Sequence, residues 1–224
     1  THSYSSAASD VYKRQAGRSL RFKSQTIKQN FKIHNKTLFS YSRDFFNRYF
    51  SYSQRYLVVN SKVKITNLHD HEKVILGSSS RIRSLNKCLK YLDKNNLFTK
   101  YMLIHDIARP ILNITDIEAL INEMKYNIDG SSLGYPMTNA IKEIKKNKIT
   151  NISRDNLWMS FTPQIFKTVQ LYNSVQHCLS NNYMVDDDIE TLLLNNLKCS
   201  IIKSSPTNIK VTYISDIPYI ERLL

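Results

Sequence analysis

The sequence predicts an α/β fold in which helices flank a mostly parallel sheet. Strand-like apolar runs alternate along the chain with segments whose apolar residues recur at helical spacing, a pattern typical of parallel sheets. The clearest strand is Tyr101–Asp106, an apolar run that ends in an acid and is followed by Arg109 and Pro110. No repeat or low-complexity linker divides the 224 residues, of which 42% are hydrophobic. We therefore expect one domain with a sizeable core.

The other elements are predicted from their own patterns. Residues 37–49 form a helix, since Leu38, Phe45 and Tyr49 recur near helical spacing. Serines suited to an N-cap precede a helix over residues 80–91. Lysine alternates with isoleucine over residues 141–153, which is typical of an exposed hairpin. The remaining predicted helices are 115–126, 187–197 and 216–224, and the remaining predicted strands are 56–60, 73–76, 132–137, 199–204 and 209–214.

The N-terminal segment is interpreted separately. Residues 5–15, SSAASDVYKRQ, match an in-frame translation of a transposon-end adapter used in sequencing libraries. We therefore expect residues 1–15 to be non-native and the native chain to be a single domain over residues 16–224. On this interpretation the first strand of the sheet is missing. The alternative is a disordered N-terminus, which Ser and Ala at a chain end also indicate.

The composition argues against several classes of protein. A net charge of +14 suits a polyanion, but the lysines are scattered and no nucleic-acid-binding module is recognised. The same positive field would also suit a small anionic substrate with a triphosphate. The three cysteines show no CxxC spacing, so neither a disulfide nor a zinc site is predicted. No apolar run approaches the roughly 20 residues of a membrane span, and we expect a cytoplasmic protein without a nucleic-acid or membrane partner.

Short motifs carry the chemistry. An aspartate close to an arginine at the carboxyl end of a buried strand suits a phosphate ester held with a divalent metal. A salt bridge between Asp106 and Arg109 is the alternative.

Seven short motifs follow one another along the chain. They are AGRSLRF at 16–22, KQ at 28–29, GSSSRIRSL at 77–85, YMLIHDIARP at 101–110, RDNLW at 154–158, TPQIF at 162–166 and SPTNIKVT at 205–212. Together they resemble the family of 2-C-methyl-D-erythritol 4-phosphate cytidylyltransferases and the related ribitol-5-phosphate cytidylyltransferases.

The resemblance implies a Rossmann-like nucleotide-diphospho-sugar transferase fold. The hairpin, about residues 138–156, would be the dimerisation arm of a homodimer and reach into the partner's active site. The implied reaction is transfer of CMP from CTP to 2-C-methyl-D-erythritol 4-phosphate, with release of pyrophosphate, in the non-mevalonate route to isoprenoids. The implied cofactor is Mg²⁺ or another divalent cation.

The resemblance also assigns roles to residues of this chain. Arg21 and Lys28 would stabilise the transition state, since arginine can fork two phosphate oxygens and lysine places a point charge. Arg154 and Lys210 would orient the attacking phosphate, Arg154 from across the dimer interface. The implied nucleotide-binding residues are Ala16, Gly17, Ser19, Gly77, Ser78, Arg81, Ser84, Asp106 and Ala108; the acceptor-binding residues are Arg109, Arg154 and Lys210; the metal ligand is Asp106.

Two further segments correspond to family motifs. A site that selects cytosine needs a hydrogen-bond acceptor for its exocyclic amine, and the carbonyls of the 77–85 loop and the Ser84 hydroxyl are candidates. Residues 162–164 correspond to a TPQ turn that shapes the pocket wall. Asp186, Asp187 and Asp188 match an acidic segment, which is either an exposed helix start or a second metal or hydroxyl contact.

The chain departs from the family pattern at four positions. Ser19 and Ser78 stand where the family has glycine, and Asn139 and Ala140 replace an aspartate and a threonine on the acceptor side. The acceptor could therefore be ribitol 5-phosphate or another polyol phosphate used for a surface polysaccharide. A non-catalytic relative is the third hypothesis, against which the retained cationic and acidic positions argue.

Overall fold

A seven-stranded sheet forms the centre of the computed structural model, which describes residues 8–13, 22, 28–51, 53–59, 65 and 67–224. The strands lie in the order β11-β7-β10-β6-β1-β4-β5. They are β1 (Ala8–Lys13), β4 (Arg55–Val59), β5 (Glu72–Leu76), β6 (Tyr101–Asp106), β7 (Gly130–Pro136), β10 (Trp158–Lys167) and β11 (Cys199–Lys203). Two short pairs stand apart from this sheet, β2 (Lys32–Ile33) with β3 (Lys36–Thr37), and β8 (Ile141–Lys145) with β9 (Lys148–Ile152).

The prediction of a mostly parallel sheet is confirmed. Strand β1 is parallel to both β4 and β6, β4 is parallel to β5, and β11 is parallel to β7. Only β10 runs antiparallel to its neighbours β6 and β7 within this sheet of described residues. Neither β10 nor the helix after it was predicted. Residues 162–164 do not form a separate turn, because they lie inside β10 where the pairing with β7 shifts register between Phe161 and Gln164.

The position of the first strand, which was predicted to be missing, is occupied by residues 8–13. Strand β1 occupies a central position, where Val11 pairs with Tyr56 of β4 on one side and Ile104 of β6 on the other. A central parallel strand is held by backbone N–H and C=O groups on both edges, so this segment can complete the sheet through its main chain. The non-native origin of residues 1–15 stays a prediction.

Helices cover both faces of the sheet. The six α-helices among the described residues are α1 (Leu38–Tyr49), α2 (Arg81–Lys94), α3 (Ile114–Glu123), α4 (Thr168–Ser180), α5 (Asp188–Leu193) and α6 (Ile217–Glu221). Successive strand residues point to opposite faces. Ile104 therefore packs with the buried side chains of α2, α4 and α5, whereas Leu103 packs with those of α1 and α3. Both clusters are fully closed to solvent at their centres, which makes the sheet a rigid support for its loops.

The predictions of a hairpin and of a strand over residues 209–214 have different outcomes. The hairpin is confirmed as β8 and β9, and its Ile144 and Ile149 are 69% and 65% exposed. The strand expected over residues 209–214 is wrong, because the amides of this segment bind other groups: Val211 N donates to the Ala108 carbonyl, and Thr212 N and Tyr213 N donate to the Asp216 carboxylate. None of the helices described here has the length and apolar character needed to cross a membrane.

Candidate active site

The carboxyl end of β6 carries a buried acidic residue, Asp106. Its Oδ2 lies 2.7 Å from Lys210 Nζ, and its Oδ1 accepts a hydrogen bond from Ala108 N at 3.1 Å. Burial by itself would raise the pKa of this carboxyl, but Lys210 and then Arg81 outweigh burial and hold the pKa of Asp106 well below its usual range. Asp106 is therefore an ionised carboxylate at neutral pH, placed where open α/β sheets bind ligands.

The irregular segment that contains Lys210 is tied to the turn after β6. Val211 N donates to the Ala108 carbonyl at 2.8 Å, and Asn208 Nδ2 donates to the Thr162 carbonyl at 3.0 Å. Lys28 Nζ donates to the Val211 carbonyl at 2.9 Å. Residues distant in sequence, Lys28 and Lys210, are thus brought to the same edge of the sheet as Asp106.

Arg109 lies beside this group in a partly buried position. Its Nη1 donates to the Asn208 carbonyl at 2.7 Å, and its guanidinium carbon lies 4.8 Å from the centre of the Phe161 ring. Burial, together with repulsion from Arg81, lowers the pKa of Arg109 to about 10, although Asp106 opposes this change. The alternative of an Asp106–Arg109 salt bridge is wrong, because Lys210 occupies that place.

The 77–85 loop is organised by one hydroxyl. Ser84 is fully buried, and its Oγ accepts from Ser78 N at 2.9 Å and lies 2.7 Å from the Ser80 carbonyl, to which it donates. A Cβ on Gly77 would lie 3.1 Å from that Oγ and 3.2 Å from the Val59 carbonyl, so glycine allows the loop to pack this closely. Ser80 N-caps α2, as predicted. Because Ser84 is fully buried, its hydroxyl is not exposed to a base, and the loop carbonyls remain the candidate acceptors.

Two carboxylates of the acidic segment, those of Asp187 and Asp188, bind other groups of the same chain. Asp187 N-caps α5 through Glu190 N at 3.1 Å, and its other oxygen accepts from Ser160 Oγ at 2.5 Å and Gln164 Nε2 at 2.9 Å. Asp188 forms a buried ion pair with Arg81. The geometry favours the helix-start interpretation for Asp187 and joins α5 to β10 and α2.

The sequence matches known proteins over nearly its whole length. A family model described as IspD, 2-C-methyl-D-erythritol 4-phosphate cytidylyltransferase, matches residues 14–224. The chain belongs to this family. It is 32% identical over 209 residues to a bifunctional IspD/IspF enzyme of Pelagibacter ubique, covering 91% of this chain and 54% of that protein, so the chain spans about half of that relative.

Two further matches agree. A 2-C-methyl-D-erythritol 4-phosphate cytidylyltransferase of Wigglesworthia glossinidia brevipalpis is 27% identical over 198 residues, with 86% of this chain and 85% of that protein covered. The crystal structure of the Francisella tularensis protein of that name superposes with a TM-score of 0.84 at 24% identity, covering 96% of this chain and 100% of that one. The latter likeness supports the nucleotide-diphospho-sugar transferase fold.

The structure locates some of the family positions and leaves others outside its described residues. Ala16, Gly17, Ser19 and Arg21 lie outside the described residues. Arg154 is exposed and donates to the Thr138 carbonyl, so within a single chain the arm itself holds it. Asn139 and Ala140 are exposed on the same arm. The described positions that converge on one edge are Lys28, Arg81, Asp106, Ala108, Arg109 and Lys210.

The donor set at this edge fits Mg²⁺. Among the described residues there is no group of three or more His, Cys, Asp or Glu side chains that could cage a metal. Mg²⁺ commonly binds through one or two carboxylates together with substrate phosphates. The ionised Asp106 can supply such a ligand, with Lys210 Nζ as its counter-ion before substrate binds.

Sequence reasoning missed two participants in this edge, His105 and Asn208, and it missed the pairing of Asp188 with Arg81. His105 carried a signal, because a histidine interrupts an otherwise apolar strand immediately before the acid. Asn208 lies in the SPTNIKVT motif but bonds through its side-chain amide to β10, a contact that no local pattern predicts. The thiols of Cys88, Cys178 and Cys199 are free.

Proposed function

We propose that this chain transfers CMP from CTP to 2-C-methyl-D-erythritol 4-phosphate, forming the CDP-alcohol and pyrophosphate. The observation that carries the proposal is the convergence of Arg81, Arg109 and Lys210 on the buried carboxylate of Asp106, with Lys28 bound to the adjacent Val211 carbonyl. Membership of the cytidylyltransferase family supports the choice of substrates.

The reaction joins two anions, so repulsion between them is the main obstacle. A phosphate oxygen of the acceptor attacks the α-phosphorus of CTP, the bond from that phosphorus to the bridging oxygen breaks, and pyrophosphate leaves. Cations that bind the developing charge more strongly than the ground state lower this barrier. Lys28, with Arg21 as its predicted companion, would act on the α-phosphate in this way. Asp106 would hold Mg²⁺, which neutralises charge on the triphosphate.

The acceptor phosphate would bind beside Asp106. Lys210 is held there by the Ala108–Val211 contact, and Arg109 is fixed by its bond to the Asn208 carbonyl and by the Phe161 ring. Both cations therefore have restricted conformations before substrate binds, which reduces the entropy lost on binding. We propose that Arg154 completes this group from the arm of the partner in a homodimer.

The base would lie against the 77–85 loop. Its carbonyls can accept a hydrogen bond from the exocyclic amine of cytosine, which uracil lacks. The buried Ser84 hydroxyl holds the loop in shape, and the Arg81–Asp188 pair connects it to α5.

Pyrophosphate release tests the proposal. The chain would be incubated with CTP and Mg²⁺ and either 2-C-methyl-D-erythritol 4-phosphate or ribitol 5-phosphate. We expect release with the former, and a loss of at least about 100-fold in kcat for Lys28→Ala, since removal of one transition-state donor costs on the order of 100-fold or more. Lys90→Ala, on the exposed surface of α2, is the matched control and should keep its activity.

Each alternative predicts a different result. Turnover with ribitol 5-phosphate alone would assign the chain to polysaccharide precursor synthesis, for which the replacement of acceptor-side residues by Asn139 and Ala140 is the motivating observation. No release with either acceptor from a folded dimer would favour the non-catalytic hypothesis.

A further inference from the structure

His105 is a buried polar residue to which the proposed reaction gives no role. It occupies the position before Asp106 in β6 and is only 1% exposed. Its ring packs beside Phe46 of α1, with 5.6 Å between the ring centres, and so lies on the opposite face of the sheet from the Arg81–Asp188 pair. An imidazole buried among apolar side chains must satisfy both ring nitrogens, and their partners indicate what it does.

One nitrogen defines the tautomer. His105 Nε2 lies 3.1 Å from the Arg109 carbonyl oxygen, which can only accept, so Nε2 carries the hydrogen. The Ser42 hydroxyl lies 3.5 Å from the same nitrogen. With the hydrogen on Nε2, the Nδ1 of the neutral ring is the nitrogen that can accept a hydrogen bond.

The second nitrogen faces the TPQ segment. Thr162 Oγ1 lies 3.5 Å from His105 Nδ1 and accepts a hydrogen bond from Asp106 N at 3.0 Å. Because that hydroxyl already accepts from Asp106, its own hydrogen is available to the ring. The result is a series of hydrogen bonds in which Asp106 N donates to Thr162, Thr162 donates to His105, and His105 donates to the carbonyl of Arg109.

This series of hydrogen bonds spans the turn, residues 106–109, that carries two of the proposed substrate-binding groups. The turn is also closed directly by Arg109 N, which donates to the Asp106 carbonyl at 2.9 Å. We infer that His105 is a positioning residue that holds the Asp106 carboxylate and the Arg109 side chain in register, through Thr162 at one end of the turn and the Arg109 carbonyl at the other. The inference rests on the proposed function. Residues that orient a metal ligand typically change metal affinity or activity by 10- to 100-fold when they are replaced.

Two conservative variants distinguish the two hydrogen bonds of His105. In His105→Gln the amide nitrogen lies near the place of Nε2 and can still donate to Arg109, but the acceptor for Thr162 is lost. In His105→Asn the amide oxygen lies near the place of Nδ1 and can still accept from Thr162, but the donor to Arg109 is lost. We expect the Gln variant to raise the half-saturating Mg²⁺ concentration about tenfold, and the Asn variant to raise the KM for the acceptor about tenfold.

Ligand-induced stabilisation supplies a second readout that does not depend on turnover. The rise in Tm that Mg²⁺ with CTP causes should be smaller in His105→Gln than in the unmodified chain, and close to the unmodified value in His105→Asn. Leu103→Val is the matched control, because Leu103 lies in the same strand, packs on the same face and makes no side-chain hydrogen bond to the turn. It should lower Tm without changing the Mg²⁺ or acceptor dependence.

Thr162 keeps the inference testable should either His105 variant fail to fold. Thr162→Val removes the shared hydroxyl and should reproduce the Mg²⁺ shift of His105→Gln, whereas Thr162→Ser retains it and should behave as the unmodified chain. Active His105 variants that resemble Leu103→Val, with reduced Tm and unchanged Mg²⁺ and acceptor dependence, would overturn the inference about His105 but not the proposed function. Absence of pyrophosphate release from the folded, unmodified chain would instead overturn the proposed function.

Discussion

Arg81 at the start of α2 and Asp188 at the start of α5 form a buried ion pair, with Arg81 Nη2 2.6 Å from Asp188 Oδ2. The two residues are 107 positions apart, and only 14% and 2% of their side chains are exposed. Their contact joins the loop proposed to bind the base to the acidic segment. Burial alone would lower the pKa of Arg81, but Asp188 more than compensates and raises it above its ordinary value, so the guanidinium stays charged.

Removal of the carboxylate should weaken both folding and nucleotide binding. Asp188→Asn leaves the buried guanidinium of Arg81 without its counter-ion, and loss of one member of a buried pair costs about 3 kcal/mol. We expect that decrease in the free energy of unfolding, measured by urea titration, and an increase in the KM for CTP. The control is Glu143→Gln on the exposed arm, where the ion pair with Lys145 should contribute less than about 1 kcal/mol. Equal effects of the two substitutions would contradict a special role for the Arg81 pair.

Strand β1 should be essential for folding. Val11 pairs with neighbours on both sides, and proline there would remove a backbone donor from a central strand. Val11→Pro should destabilise the chain by about 3 kcal/mol or more, seen as a lower Tm or loss of the cooperative transition by circular dichroism. Val11→Ala retains the amide and serves as the control. A Val11→Pro protein with the Tm of the Val11→Ala protein would show that the sheet does not depend on this strand.

The arm should carry the dimer contact. Ile144 and Ile149 pair across β8 and β9, so their exposed side chains lie on one face of the hairpin. Replacement of both by lysine should convert the proposed homodimer to monomer in analytical ultracentrifugation and lower activity, because Arg154 would no longer reach the partner's site. Thr150→Lys adds charge to the other face and should leave the dimer intact. A double-lysine variant that keeps the dimer mass would exclude this face as the interface.

Acid should destabilise the chain partly through His71. Arg55 Nη1 bonds to His71 Nε2, and burial followed by repulsion from Arg55 lowers the pKa of His71, while Glu72 opposes the shift. Because this pKa is depressed in the folded state, the unfolded chain binds a proton first as the pH falls below about 6.5. The free energy that neutral His71 contributes to folding is fully present above that pH and is lost as the pH falls through the pKa of His71 in the folded chain.

A glutamine at position 71 tests this dependence. His71→Gln can still accept from Arg55 but does not titrate, so the free energy of unfolding should fall less steeply from about pH 6.5 downward than in the unmodified chain. Urea titrations across that range measure the slope. His177→Gln, on the exposed side of α4, is the matched control for replacing a histidine by glutamine. An unchanged slope in His71→Gln would assign the acid sensitivity to other groups.

Local patterns accounted for most helices and strands because each of these segments has a clear apolar period. The apolar run of β6 and the serine cap of α2 are such cases. The strand β10 was not predicted, since its residues lie in a motif interpreted as a turn. The strand expected over residues 209–214 was wrong because its amides bond to the Ala108 carbonyl and the Asp216 side chain, neither of which is a neighbouring strand.

The α/β class, the mostly parallel sheet and the family follow from the sequence, which also supplies the charged candidates for the site. Tertiary structure alone decided which of these groups meet: Lys210 rather than Arg109 pairs with Asp106, Asp188 pairs with Arg81, and His105 bridges both ends of the turn. The physical reason is that strand and helix periodicity is a local property of the chain. The choice of partner for a charge or a hydrogen-bonding group depends on which distant segments the closed sheet brings within about 3 Å.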